Sequence, residues 1–270
     1  IKKDRKEIPV TRVLYPHFRK LSVNASLVPL GLAHGLNQYL DEFPYGCTEQ
    51  LTSKAFAALI LGKRPEFGYP TQKRNELLGQ AMKILQARQN EEGAFGFWAA
   101  NSHVSDFQVV YALHFLTEAK DHNYPVPMNV LQKGLNYLKI ILGSDIDSLA
   151  AARIHAYAAY ILTVNGIITT SGLNDLVGKL ESEMPSLWEQ DLTGIYIAAT
   201  YKLHKRDREA DQLIKKSRPG DKQETDYNNY YDQLMRDAQY FYILSRHFPQ
   251  LKNTIKAEDI LHLVEPVIKG

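Results

Sequence analysis

From Thr71 onward the chain repeats one unit, a helix, a turn and a second helix, about every 35 to 50 residues. Leu77, Leu78, Ala81, Ile84 and Leu85 fall on one face of a helix predicted over 71–89, with Thr71 as its expected cap. A partner helix is predicted over 105–119. The unit recurs over 127–142, where Pro127 suits a first turn, and 148–164. A third copy spans 173–183 and 192–203, and a looser fourth 207–216 and 230–248. A last helix is predicted over 257–268. Upstream, helices are predicted from about Ser26 to Leu40 and from Thr48 to Leu61, with the breakers Gly62, Pro65, Gly68 and Pro70 after them.

No segment alternates apolar and polar residues over several positions, so almost no sheet is expected and the fold class is all-α. Stacked helix pairs form an open solenoid or a closed ring. A solenoid needs polar end caps. Here the turns carry large aromatics, and the second helices carry small residues, Ala150 to Ala152 and Ala156 to Ala159, that let helices close around a centre. The predicted fold is an α/α toroid, two concentric rings of about eleven or twelve helices.

At 270 residues the chain is long enough for one large domain. Residues 1–22 lack a clear period and read as an extended lead-in from a neighbouring domain, leaving 23–270 as the helical domain. A net charge of +2 gives no basic excess for nucleic acid. A lone cysteine excludes an intrachain disulfide, paired Cys/His zinc spacing is absent, and no apolar run reaches the length of a membrane helix. Ile1 to Glu7 is charged, without a signal-peptide core, and the chain does not begin with Met. A piece of a longer protein is therefore expected.

That cysteine lies in Phe43-Pro44-Tyr45-Gly46-Cys47-Thr48-Glu49-Gln50, at the start of a predicted helix. Residues three apart on a helix are neighbours, so the Cys47 sulfur can reach the Gln50 carboxamide. Attack with loss of ammonia leaves an internal thioester, an activated acyl group. On these two residues alone the competing reading is a small buried hydrophobe beside an ordinary glutamine.

The whole octapeptide closely resembles the thioester segment of the alpha-2-macroglobulin and complement superfamily. The usual core there is Gly-Cys-Gly-Glu-Gln, and bacterial members carry Tyr-Pro-Tyr-Gly-Cys-x-Glu-Gln. Phe43 stands for the first Tyr and Thr48 for the variable residue. From the Ser26 helix to the last helix, the chain resembles the thioester domain of a bacterial alpha-2-macroglobulin. The resemblance implies a Cys47–Gln50 thioester set among Tyr45, Gly46 and Glu49, with no cofactor and no metal. It implies a single-turnover protease inhibitor rather than an enzyme. A protease cuts a bait region elsewhere, other domains of the same chain rearrange, and a nucleophile of the protease is captured on the Gln50 acyl carbon. It also implies a periplasmic defence protein, anchored to the inner membrane as a lipoprotein. Aromatics such as Phe43 and Tyr45 are expected to keep water from the bond. In ester-forming complement components a downstream histidine first takes the acyl group. His155, which follows an Ile as that histidine does, is the candidate, since imidazole is nucleophilic near neutral pH.

The turn from Gln89 to Trp98 resembles the Gln-Trp motif of terpenoid cyclases, which share the toroid. Phe95, Phe97 and Trp98 are accordingly expected to lock one helix hairpin to the next. His34, His204, His247 and His262 have no evident partner, and His103 and His114 are read as capping or packing residues. Asp226 to Asp232 reads as a polar, aromatic surface loop. Asp145-Ile146-Asp147 lacks the glycine and distal Glu of a calcium loop. Two rival functions stand beside the inhibitor. A toroid enzyme, such as a cyclase or polysaccharide lyase, needs acidic clusters or a zinc site that the sequence lacks. An interaction module would carry Cys47 as an unreactive thiol.

Overall fold

Among the described residues nine α-helices alternate between two surroundings. They are α1 (Thr48–Leu61), α2 (Thr71–Arg88), α3 (Asp106–Asp121), α4 (Met128–Gly143), α5 (Leu149–Val164), α6 (Thr170–Glu183), α7 (Leu192–Leu203), α8 (Asp207–Ile214) and α9 (Gln233–His247). The computed structural model describes residues 45–64, 67, 70–185, 187–221, 225–256 and 258–260, with single positions at 35, 40, 42, 43 and 263. The helix expected over 26–40, and most of that over 257–268, lie outside the described residues. Among the described residues no strand forms, only isolated bridges such as Gln89 with Phe95 and Gly96 with Val104.

Helices α3, α5 and α7 are buried almost all round, whereas α2, α4, α6 and α8 bury a single stripe. Helix α3 packs on α1 and α5, α5 on α7, and α7 on α9, so the odd-numbered helices make an inner ring. The even-numbered helices lie outside, α2 on α1, α4 on α3 and α5, α6 on α5, and α8 on α7. The fold is an all-α toroid of two concentric layers. Its inner contacts are close because the residues there are small: Ala152, Ala156, Ala158 and Ala159 of α5 are fully buried. Gly134 of α4 serves the same end, since a Cβ there would meet Leu113 Cδ2 of α3 at 2.4 Å.

Helix starts are set by side-chain oxygens that satisfy orphan N–H groups. Ser148 Oγ accepts from the Ala151 N–H and Asp191 Oδ1 from the Thr193 N–H. Thr71 does not cap α2; Pro70 stands before it, and Thr71 already has helical geometry. Pro127 likewise precedes α4 instead of occupying its first turn. The helix expected from Tyr230 begins only at Gln233. Tyr230 takes a left-handed φ of 51°, and Asp232 caps the helix by accepting from the Met235 N–H at 2.7 Å.

The axis of the ring is filled. The Tyr157 and Tyr196 rings stack at 4.4 Å, and His114 lies between the Tyr157 hydroxyl at 2.6 Å and the Tyr242 hydroxyl at 3.0 Å. Arg246 of α9 crosses to Glu118 and Asp121 of α3, closing the ring with charge. His247 bonds the Tyr160 hydroxyl and His204 bonds Thr169, so these two histidines have the partners their sequence context does not show. Burial, reinforced by Arg246, pushes the His114 imidazole down to about 3. Below the ordinary histidine value near 6.5 the unfolded chain therefore binds a proton that the folded chain refuses. Stability is expected to fall from about pH 6 to about pH 4, by up to about 1.4 kcal/mol per pH unit from this residue. Urea unfolding of His114→Gln across that range should show a flatter decline; an unchanged slope would count against the assignment.

Candidate functional site

Cys47 is the N-cap of α1, with an extended backbone at φ −63° and ψ 167°. Gln50 is three residues on, in the first turn, and its side chain folds back. Gln50 Oε1 accepts from the Cys47 N–H at 3.1 Å, while the sulfur faces the Gln50 N–H, a capping box. The helix start therefore brings the two functional groups of the sequence argument onto each other. Cys47 makes no disulfide and is 6% exposed. Gly46 and Tyr45 lie outside: Tyr45 is 62% exposed and packs edge-on against Phe43 at 5.5 Å. The Tyr45 ring is thus open to solvent, rather than buried over the sulfur.

The residue between, Thr48, is read from sequence as the variable position, but it is fully buried and fixes the helix start. Its N–H donates to Phe97 O at 3.0 Å and its hydroxyl to Gly96 O at 2.7 Å. Arg88, at the end of α2, donates to Thr48 Oγ1 at 3.2 Å and lies against the Trp98 ring. Gly96 is required in this turn, because a Cβ would meet Ala99 O at 2.0 Å. The aromatic lock is corrected in part. Phe95 is fully buried, but Trp98 is 60% exposed. The tie to the next hairpin is the Gln89 amide, which donates to Val130 O in the first turn of α4 at 2.9 Å, because a helix carbonyl keeps a second lone pair for an amide donor that an indole cannot reach from the surface.

Glu49, half-buried, points to a third element. Ser53, one turn on, donates to Glu49 Oε1 at 2.8 Å, and the Tyr111 hydroxyl of α3 lies 3.2 Å from Ser53 Oγ. Burial raises the Glu49 carboxyl and the Ser53 bond opposes it. The i,i+4 spacing of Glu49 and Ser53 is legible in the sequence; Tyr111 has no signal there. Tyr111 stacks on Phe107, and Phe107 on Tyr230, whose hydroxyl feels both Glu49 and Cys47.

His155 sits in the second turn of α5, buried, with Nε2 3.2 Å from Ser144 Oγ at the α4–α5 corner. Burial lowers its imidazole, against the opposing pull of Asp106. Among the described residues its hydrogen bond goes to Ser144 rather than to Cys47 or Gln50. The loop over 226–232 is not merely surface. Tyr227 is exposed, but Tyr231 is 2% exposed and donates to Asp191 at 2.8 Å, under the Arg153 guanidinium. Asp145 pairs with Lys179. Among the described residues no three His, Cys, Asp or Glu side chains converge as metal ligands, and no helix is long and apolar enough to cross a membrane.

These features define a class: a helical α/α toroid with a reciprocal Cys–Gln pair at the N-terminus of an inner helix, on one rim of the ring. Comparison with known proteins gives that class a family. The chain is a homologue of a segment of the bacterial alpha-2-macroglobulins. It is 38% identical over 255 residues to the alpha-2-macroglobulin of Rickettsia conorii, covering 92% of this chain and 13% of that protein. The crystal structure of a Salmonella alpha-2-macroglobulin reacted with methylamine matches 88% of this chain and 16% of that one, at 20% identity and a TM-score of 0.71. A trypsin-activated alpha-2-macroglobulin from Escherichia coli matches 83% of this chain and 16% of that one, at 18% identity and a TM-score of 0.63. The chain thus spans about an eighth of the length of the Rickettsia protein. No family model matches it.

Proposed function

We propose that this chain is the thioester domain of an alpha-2-macroglobulin-like protease inhibitor, and that Cys47 and Gln50 carry the bond. The observation that carries the reading is the folding back of the Gln50 carboxamide onto Cys47 at a helix start. The Cys47 sulfur attacks the Gln50 Cδ, ammonia leaves with the amide nitrogen, and an Sγ–Cδ bond remains. Gln50 Oε1 becomes the acyl oxygen. The Cys47 N–H, which donates to that oxygen, faces the charge that develops on it when a nucleophile attacks. A protease amine then forms an amide with Cδ, the electron pair of the Cδ–Sγ bond goes to sulfur, and Cys47 leaves as a thiol. No step restores the thioester, so the capture is a single-turnover event and not enzyme catalysis.

The relatives support the wider reading. One is described as reacted with methylamine, a small amine, and another as activated by trypsin, a protease. The rest of the reading follows the family resemblance: bait cleavage and rearrangement of other domains expose the bond, in a periplasmic protein held at the inner membrane by a lipid anchor. In it His155 takes the acyl group ahead of hydroxyl acceptors, which requires its ring to leave Ser144.

Intact mass tests the bond directly. Freshly purified chain is expected to be about 17 Da lighter than its sequence, by loss of ammonia. The full encoded mass, with the thiol titratable in native protein from the outset, would favour an unreactive module.

A further inference from the structure

We infer that Glu49 receives the proton of the nucleophile that opens the Cys47–Gln50 bond, with Ser53 and Tyr111 holding its carboxylate in place. The inference rests on the thioester reading above. An amine that attacks an acyl carbon becomes cationic at nitrogen, and a neighbouring base that removes the proton prevents its return. The base must be close, unpaired with a cation and free at one oxygen.

Glu49 meets those conditions. It shares the first turn of α1 with Gln50, whose Cδ is the reacting carbon, and the Tyr230 hydroxyl lies in the field of both Glu49 and Cys47. Among the described residues no cation pairs with it, and its Oε1 alone is engaged, by Ser53. A serine hydroxyl has one proton. Ser53 gives it to Glu49, so the proton in the Ser53–Tyr111 contact comes from Tyr111. Burial pushes the Tyr111 phenol up to about 12, which keeps that proton in place. The chain Tyr111 to Ser53 to Glu49 thus fixes Oε1 and leaves Oε2 for the nucleophile. The ionisable groups that feel Glu49 are Tyr111 from α3 and Tyr230 from the turn before α9, and Tyr230 also feels Cys47 at the start of α1. From α2 the neighbour is Arg88, whose bond goes to Thr48.

The step balances. The amine nitrogen bonds Cδ, the Cδ–Sγ bond breaks with its electrons on sulfur, and the amine proton passes to Glu49 Oε2. Glu49 then yields the proton to the Cys47 thiolate or to water. Ser53 and Tyr111 act through Glu49 and are positioning residues.

The test is thiol release by methylamine from the 270-residue chain, followed against pH, with each rate divided by the concentration of free-base amine. Wild type should show a rate that rises with pH as Glu49 loses its proton. Glu49→Gln should lose that inflection and slow release about a hundredfold at neutral pH, the low end for general-base assistance. Ser53→Ala should keep the inflection but move it to higher pH, because the Ser53 bond lowers the Glu49 carboxyl. A Glu49→Gln protein that carries the mass deficit of the thioester yet reacts with the wild-type profile overturns the inference and leaves the thioester reading standing. If Glu49→Gln fails to fold or to form the bond, an unmoved inflection in Ser53→Ala overturns it instead. A wild-type chain without the mass deficit removes the thioester reading, and this inference with it. A purely structural Glu49 would lower the melting temperature and leave the pH profile alone.

Discussion

Gln50→Ala is expected to abolish methylamine-driven thiol release altogether. In wild type, methylamine should release the chain's single thiol and add about 31 Da at the Gln50 side chain, the amide formed there replacing the thioester. Without the carboxamide there is no acyl carbon to attack. The Gln50→Ala thiol should then titrate in native protein before any amine is added, to the extent that its buried position lets the reagent in. Cys47→Ala should abolish the response too, through loss of the sulfur. Neither change should cost much helix. Gln50 is half-buried, and loss of its capping bond to the Cys47 N–H costs about 1 kcal/mol. Peptide mapping places the adduct on Gln50. Thiol release that persists in Gln50→Ala would show that Cys47 is masked by something other than Gln50.

Asp191→Ala is expected to be the most damaging single change to the fold, at about 3–5 kcal/mol. Asp191 caps α7 and gathers donors from three residues, Thr193, Arg153 and Tyr231. Oδ1 accepts from the Thr193 N–H at 2.8 Å and the Thr193 hydroxyl at 2.6 Å, and Oδ2 from Arg153 Nη2 and the Tyr231 hydroxyl, each at 2.8 Å. It joins α5, α7 and the turn before α9 at the rim that carries α1. Removing it loses the cap and strands a largely buried guanidinium, whose centre lies 3.4 Å from the Tyr231 ring centroid. Breaking one side of such a pair costs far more than the pair itself contributes, because the remaining charge stays desolvated. Asp207→Ala, which removes an exposed partner of Lys202, is the control and should change the urea midpoint little. A loss below about 1 kcal/mol in Asp191→Ala would mean that Arg153 finds water when its partner goes.

The two changes act at different levels of what the sequence discloses. Cys47 and Gln50 are three residues apart, and a helix start was enough to predict their meeting. Asp191 gives only its cap in the sequence. Its link to Arg153 joins residues 38 apart and that to Tyr231 residues 40 apart, so both appear only when the ring is closed. The same distinction runs along the chain. Apolar period gave α1 and α7 their observed bounds of Thr48–Leu61 and Leu192–Leu203. It placed the start of α9 three residues early, because Tyr230 is aromatic and fits the pattern while its backbone has turned left-handed.

Local chemistry therefore settled most of the described helices, their pairing in repeats, the small residues of the inner ring and the approach of Cys47 to Gln50, since each depends on contacts within a turn or two of helix. Tertiary structure alone decided that Thr48 is buried against Gly96 and Phe97, that Trp98 lies on the surface while Gln89 makes the tie, and that Ser53 and Tyr111 support Glu49. It also decided that His114 is held neutral on the axis and that His155 bonds Ser144. The reason is the same in each case. Hydrogen bonds and desolvation between helices depend on which faces the closed ring brings together, and a side chain's own neighbours in sequence carry no record of that.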